Sequence, residues 1–391
     1  MDFSFSERVH EINARVRQFL DEVVIPLEAY AEEHPDGLSP ERLQAARQQA
    51  KAAGIFAPQL PTEWGGLGLS LLECVPIFET IGRSLIGPAI LNCAAPDEGN
   101  LHTLLIAANE EQRERYLKPL AAGEVRSAFA MTEPAPGAGA DPNMLQTRAE
   151  RDGDEWVING HKWFTTGADG AAFFFIMALT NPEVGARKGA TIFLADADTA
   201  GIEIVRRIPI MGAEAPGGHC EIIFNNVRLP HSAILGEEGG GFALAQQRLG
   251  PARLTHCMRW TGIAQRALEI ATAYANEREA FGQPLVGHEA VQWMLADSAI
   301  ELYQARLMMY HAAWLLDNGH DARKETSMAK VHVAESVNRI LDRAIQICGG
   351  RGISRDIPLS LWFAEARAFR IYDGPSEVHR MVIARHVAKG R

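Results

Sequence analysis

Glu155-Trp156-Val157-Ile158-Asn159-Gly160-His161-Lys162-Trp163-Phe164-Thr165-Thr166-Gly167 is where the chain changes period. On both sides of this region apolar residues recur every three or four positions. From roughly Ser127 to Leu235 they come instead in short β-type runs separated by turn residues. The runs are Glu155 to Asn159, Phe173 to Leu179, Thr191 to Ala195, Ile202 to Ile208 and Glu221 to Phe224. The Asp152-Gly153-Asp154 and Asn159-Gly160 steps are expected to turn the chain tightly, and short strands at regular spacing favour a small barrel or sandwich.

Working outward, Ser6 to about Gly123 reads as helical, opening with Val9, Ile12, Val16, Phe19 and Leu20 at spacings of three and four. Pro58 to Ser70 is a Gly/Pro loop, and Ser70 is expected to open a helix that ends near Gly82. Gly65, Gly66 and Gly68 in that loop read as turn glycines, because no strand precedes them as a dinucleotide fingerprint requires. After Gly239-Gly240-Gly241 the pattern is helical to the end, with long runs Ala243 to Asn276, Glu289 to Asp317 and Ala322 to Cys348. Val291, Met294, Leu295, Leu302, Ala305, Met309, Ala312 and Leu316 form the stripe of a helix packed in a bundle. The reading is mainly α with a central all-β domain, divided at 1–126, 127–236 and 237–391.

Composition bounds the function. The 391 residues are 47% hydrophobic and 22% charged, which is ordinary for a folded protein with sizeable cores. A net charge of −11 argues against nucleic acid or an anionic membrane as partner. Cys74, Cys93, Cys220, Cys257 and Cys348 contain no CxxC pair and read as reduced thiols rather than a disulfide framework or a zinc site. No His/Cys/Asp cluster has metal-ligand spacing, so no metal is expected; His219-Cys220 reads as a lone pair on a β edge. Neither a signal peptide nor a bilayer-spanning stretch is apparent, so a cytoplasmic location in a bacterium is expected.

The segment Ile371-Tyr372-Asp373-Gly374-Pro375-Ser376-Glu377-Val378 breaks two helical patterns. Gly374 and Pro375 stop the first, Ser376 is placed to cap the second with Glu377 in its first turn, and Asp373 is left on a corner. Asp before Gly-Pro is a common turn former, so this loop alone decides nothing.

Other blocks give it meaning. Phe129-Ala130-Met131-Thr132-Glu133-Pro134, the quoted stretch 159–167, Trp64-Gly65-Gly66-Leu67-Gly68, Arg278 with Phe281-Gly282, Gln346 with Gly349-Gly350 and the Tyr372-Asp373-Gly374-Pro375-Ser376 loop stand in one order. Together they resemble the acyl-CoA dehydrogenase family over essentially the whole chain. Asn92-Cys93, Pro96-Asp97, Gly99-Asn100 and His256-Cys257-Met258-Arg259 are similar in wording to the subgroup that also forms the C-terminal part of larger animal proteins with a kinase-like domain.

The resemblance implies a fold of N-terminal helical domain, small β-barrel and C-terminal four-helix bundle. It also implies an FAD enzyme that oxidises an acyl-CoA to a trans-2-enoyl-CoA in fatty-acid metabolism and passes electrons to an electron-transfer flavoprotein. In that family a carboxylate takes the α proton, and the motif match gives this role to Asp373. Most members carry Glu there; another branch carries it on the long helix just before an Arg, where this chain has Ala252 before Arg253. Asp is one methylene shorter, and a displacement on the order of 1 Å can cost about a hundredfold in rate.

The family pattern sets Phe129, Met131 and Thr132 against the flavin with Phe164 and Thr166 on its other side. It gives Arg278, Phe281 and His288 to the FAD of a neighbouring subunit, and Gln346, Gly349, Gly350, Ser376 and Glu377 to the adenosine part. Arg253 and Gly374 belong to the substrate side. Ala140 stands where many members place a ligand-facing Ser. A homodimer or homotetramer is implied. Two other readings remain: a superfamily flavoenzyme on another carbon acid, since nitroalkane oxidase uses an Asp base, and a non-catalytic assembly protein.

Overall fold

The computed structural model describes residues 4–34, 36–212 and 216–390. Ser6 caps α1 (Glu7–Phe19) by accepting from the Val9 amide, and Val9, Ile12, Val16 and Phe19 form its buried stripe. A π-turn leads into α2 (Ile25–Glu33), and α3 (Pro40–Ala52) follows. Ser70 and Glu73 form a reciprocal capping box at the start of α4 (Leu71–Ile81), which stops at Gly82 as the sequence predicts. α5 (Asp97–Ala107) completes the helices that matter to the site.

Seven strands follow: β1 (Ser127–Ala130), β2 (Arg148–Asp152), β3 (Glu155–Thr166), β4 (Phe173–Leu179), β5 (Ala190–Asp196), β6 (Ile202–Arg207) and β7 (His219–Pro230). They make one curled sheet in the order β1-β4-β2-β3-β7-β6, with β5 on β4. β4 is buried at every position. Phe174 and Ile176 point into the core that the sheet wraps, while Phe173, Phe175 and Met177 join the helical core. A continuous apolar run is the signature of a strand covered on both faces.

Two expectations are corrected here. Asn159-Gly160 does not turn the chain; β3 runs straight through it, with a register irregularity between Ile158 and Gly160 against β7. A Cβ on Gly160 would meet the Thr147 side chain at 2.3 Å, so glycine serves close strand approach there. Gly153, at φ +63°, does make the expected turn between β2 and β3. His219-Cys220 is not on an edge, because β7 lies between β3 and β6.

The C-terminal part comprises α6 (Gly241–Glu277), α7 (Glu289–Asp317), α8 (Arg323–Cys348), α9 (Leu359–Phe369) and α10 (Ser376–Val387). α6, α7 and α8 pack on one another and α10 lies on α8, forming a four-helix bundle that α4 flanks. Between α6 and α7 the chain makes a hairpin pairing Glu279–Ala280 with Gln283–Pro284. Phe281 at φ +53° and Gly282 at φ +83° make its tip, the two positive-φ positions of a tight hairpin turn. No helix among the described residues is long and apolar enough to cross a membrane.

Candidate active site

α9 ends at Phe369, and the chain must turn before α10. Asp373 takes φ +53° and Gly374 φ +98° to do it. A Cβ on Gly374 would lie 2.8 Å from His379 Nε2, so only glycine fits beside that ring. Ser376 is the first residue of α10 and not its cap; Pro375, already extended at ψ 152°, holds the cap position and no side chain caps the helix.

Four long side chains fasten this corner from outside. Arg253 Nε donates to the Asp373 carbonyl at 3.0 Å, and His379 Nε2 donates to the same oxygen at 3.1 Å. Lys330, fully buried on α8, donates to the carbonyls of Phe369 at 2.5 Å and Gly374 at 3.3 Å. His256 Nε2 lies 3.2 Å from Asp373 Oδ2. The backbone N–H of Asp373 has no acceptor among the described residues.

The electrostatics follow from burial and these neighbours. Burial alone would push the Asp373 carboxyl up, but His256, Arg248, Arg253 and Lys330 outweigh it and hold it below the ordinary carboxylate range. Burial, reinforced by Arg259, takes His256 down to about 3, so at neutral pH the ring beside Asp373 is uncharged. Burial also brings Lys330 down to about 8 and His379 to about 4. Arg248 is 8% exposed, donates only to neutral acceptors, Asn100 Oδ1 at 3.1 Å and Pro96 O at 3.4 Å, and lies 4.5 Å above the Phe129 ring. It links the first flavin-motif aromatic to the field around Asp373.

Arg253 also lines a cavity of about 760 Å³ between α5 and α6, walled by Leu60, Leu105, Phe242, Glu98 and Thr255. Ala252 is buried and offers no titratable group beside it. Thus Arg253, which holds the Asp373 carbonyl, joins the Asp373-Gly374 corner to a cavity large enough for an acyl chain.

Phe164 stands on a separate shelf of the sheet, 46% exposed and at φ +53°, with its ring nearly parallel to Trp163. Met131 and Thr132 are beside it, since the Trp163 amide donates to the Thr132 carbonyl at 2.8 Å. The Thr166 hydroxyl shares a hydrogen bond with His219 Nδ1 at 2.9 Å. A flat apolar face rimmed by hydroxyls and backbone amides is a donor set that fits the ring system of FAD.

The remaining expected residues lie elsewhere. Gln346, Gly349 and Gly350 are exposed where α8 ends, and a Cβ on either glycine would meet nothing within 4 Å. At 1.5 Å per residue Gln346 is about 24 Å along α8 from Lys330, and the two glycines lie just past the helix end. Arg278 is about 37 Å along α6 from Arg253 by the same rise, and its guanidinium has no partner among the described residues. Phe281 is 98% exposed. His288 braces that hairpin, Nε2 donating to the Ala280 carbonyl at 3.0 Å. Ser376 is buried, whereas Glu377 and Ala140 are exposed away from the cavity.

His256, Lys330, Arg248 and His379 escaped sequence reasoning. The available signal for His256 was its place one helical turn after Ala252, on the same side of α6.

Comparison with known proteins follows this geometry. The chain matches "Acyl-CoA dehydrogenase, N-terminal domain" over residues 6–124, the "middle domain" over 128–227 and the "C-terminal domain" over 239–388. It is 41% identical to "Probable acyl-CoA dehydrogenase FadE2" of Mycobacterium tuberculosis, over 98% of this chain and 96% of that protein. It is 39% identical to "Acyl-CoA dehydrogenase family member 11" of Gallus gallus over 98% of this chain, and spans 51% of that longer protein. A solved putative acyl-CoA dehydrogenase from Mycobacterium abscessus superposes with a TM-score of 0.94 at 41% identity, covering 100% of both chains. The structure described as "PigA with FAD and proline" superposes with 0.89 at 27% identity, again over 100% of both.

Proposed function

This chain belongs to the acyl-CoA dehydrogenase family and is an FAD-dependent oxidoreductase, and from that premise we propose that Asp373 removes the α proton of an acyl-CoA thioester, yielding a trans-2-enoyl-CoA. Bound FAD supplies the two-electron acceptor for the β hydrogen. The shelf of Phe129, Met131, Thr132, Phe164 and Thr166 holds the flavin ring. Arg278, Phe281 and His288 approach the FAD of a neighbouring subunit, while Gln346, Gly349, Gly350, Ser376 and Glu377 serve its adenosine part. The spacing along α6 and α8 and the bare Phe281 ring support that division and an assembly of at least two copies.

The observation that carries the reading is the Asp373 corner. Its carboxylate is kept ionised next to Arg253, which lines the cavity, and the alternative base position is Ala252. A thioester α proton is too weakly acidic for a free carboxylate, so the thioester oxygen needs donors as charge develops. The unengaged Asp373 N–H and the Arg253 guanidinium are the donors at hand. Electrons then pass to an electron-transfer flavoprotein.

Anaerobic stopped-flow flavin reduction with a panel of acyl-CoAs tests this. Asp373→Asn is expected to slow reduction by about 10²- to 10⁴-fold, and an unchanged rate would remove Asp373 from the chemistry. Bleaching by nitroalkanes alone would assign the site to a different carbon acid.

A further inference from the structure

Asp373 Oδ2 faces His256 Nε2 at 3.2 Å, and the opposite edge of the imidazole is also engaged: Arg259 Nη2 donates to His256 Nδ1 at 3.1 Å. A guanidinium can only donate, so Nδ1 must present its lone pair and the ring proton must sit on Nε2. Arg259 is in turn held by the Cys93 carbonyl at 2.7 Å. The imidazole packs against a cluster of two tilted aromatic rings, Tyr372 with centroids 5.0 Å apart and Phe369 at 6.2 Å. Tyr372 is itself pinned, its hydroxyl accepting from Trp260 Nε1 at 2.6 Å.

We infer that His256 is the positioning residue of the base: it ties Oδ2 of Asp373 in one orientation and leaves Oδ1 as the oxygen that meets the substrate. This rests on Asp373 being the base. A carboxylate with two free χ angles samples several orientations, and a base shortened by a methylene has less slack to find the α carbon. Tethering one oxygen to a ring that is itself held by Arg259 at its other nitrogen and packed against Tyr372 and Phe369 removes that search. Oδ2 gains no proton in the step, because the α proton passes to Oδ1 while Nε2 keeps its own.

The alternatives within reach do not substitute for this contact. Among the groups facing the Asp373 side chain, Arg253 and His379 use the backbone carbonyl of Asp373, Lys330 uses the carbonyls on either side of the turn, and Arg248 donates to Asn100 and Pro96. On the far side of His256, Glu98 accepts from Thr255 at 3.0 Å and lies 3.9 Å from Arg259, so it reinforces the donor that sets the tautomer. The uncharged state of the ring is consistent with its burial and with Arg259 beside it.

His256→Leu removes the tether, while His256→Gln keeps an N–H that can reach Oδ2. FAD content, thermal midpoint, KM and the pH dependence of flavin reduction are measured for both, with Asp373→Asn alongside. The Leu variant is expected to bind FAD with KM little changed, to reduce flavin about tenfold or more slowly, and to show its acid limb at higher pH, because the ionised carboxylate has lost a donor. The Gln variant is expected to recover most of the rate and the wild-type limb. Equal losses in both variants, or an unmoved limb, would overturn the inference. Should the Leu variant not fold, the Gln variant decides by its limb and rate alone. Asp373→Asn at full rate removes the base reading and this inference with it; Asp373→Asn inactive beside a wild-type-like His256→Leu removes this inference only.

Discussion

Lys330→Met separates what holds the fold from what holds the base. Lys330 is 0% exposed, and its pKa brought from 10.5 to about 8 by burial corresponds to about 3 kcal/mol of desolvation carried by the native state. Against that stand two charge-assisted hydrogen bonds, to Phe369 and Gly374, worth about 1.5–3 kcal/mol each. Contacts 4.6 and 5.7 Å from the Phe369 and Tyr372 ring centres add about 1 kcal/mol. Met keeps most of the volume, so it relieves the desolvation while leaving two carbonyls unanswered. The interactions lost exceed the desolvation relieved, and global stability is expected to fall by about 1–4 kcal/mol. The loop itself gains nothing from the relieved desolvation. Without the ammonium, the carbonyls of the strained turn lose their donor from α8, while Glu335, paired with Arg370 at 2.9 Å, still ties α8 to the flank of the loop. Amide hydrogen exchange over residues 371–376 should therefore accelerate, and flavin reduction should fall by about tenfold or more. Urea unfolding, exchange mass spectrometry and stopped-flow reduction on one preparation read all three. A loosened loop with an undiminished reduction rate would refute the view that this turn must be rigid for the base to act.

His256 and His379 stay neutral in the native state, at about 3 and about 4 against an ordinary 6.5, so the unfolded chain takes up protons first as pH falls. Stability is then full above pH 6.5 and is lost below it. The loss is about 2 kcal/mol from each ring between pH 7 and pH 5; the low-lying Asp373 adds a loss of the same sign only nearer pH 4. Urea curves that coincide at pH 7 and pH 5 would contradict this. Phe164→Ala should leave the apoprotein within about 1 kcal/mol of wild type, since the ring is 46% exposed. It should weaken FAD binding by about five- to thirtyfold, the worth of a 1–2 kcal/mol stacking face, and a titration of apoprotein with FAD reads it directly.

The parts legible in the sequence are those written in periodicity and caps. Ser70 with Glu73, the stripe opening at Val9 and the β4 run from Phe173 to Leu179 each state a local structure that the tertiary contacts do not override. β1 and β2 escaped because they are short, and Ala128, Ala130, Arg148 and Glu150 carry little of the β-branched or aromatic character by which a strand is recognised. Asn159-Gly160 misled because a glycine needed for close approach looks the same as a glycine needed for a turn. Phe281-Gly282 falls in the gap between the runs Ala243 to Asn276 and Glu289 to Asp317, and only the paired backbone at positive φ reveals a hairpin there. For the site, the corner at Asp373 was visible as a breaker, whereas Lys330 and His256 look like any polar residue on an otherwise apolar helix face. Their meaning lies in which carbonyl or carboxylate they reach across the bundle, and one chain read linearly does not contain that distance.

The field around Asp373 also bears on why a short carboxylate can serve. Arg248, Arg253 and Lys330 hold it ionised, which guarantees an empty proton site but lowers its strength as a base. Taken alone, that trade slows proton abstraction. Yet negative charge does not vanish in the step: it moves from the carboxylate to the thioester oxygen as the enolate develops. Cations set around the corner therefore act on both ends of the transfer. Arg253 spans the two, bonded to the Asp373 carbonyl and facing the cavity. What they withdraw from the basicity of Asp373 they return to the enolate, most strongly where water is excluded and the effective dielectric is low. In such a site the rate depends less on the pKa of the base than on how closely its free oxygen is aimed, and aim is what the His256 tether and the Lys330 clamp control.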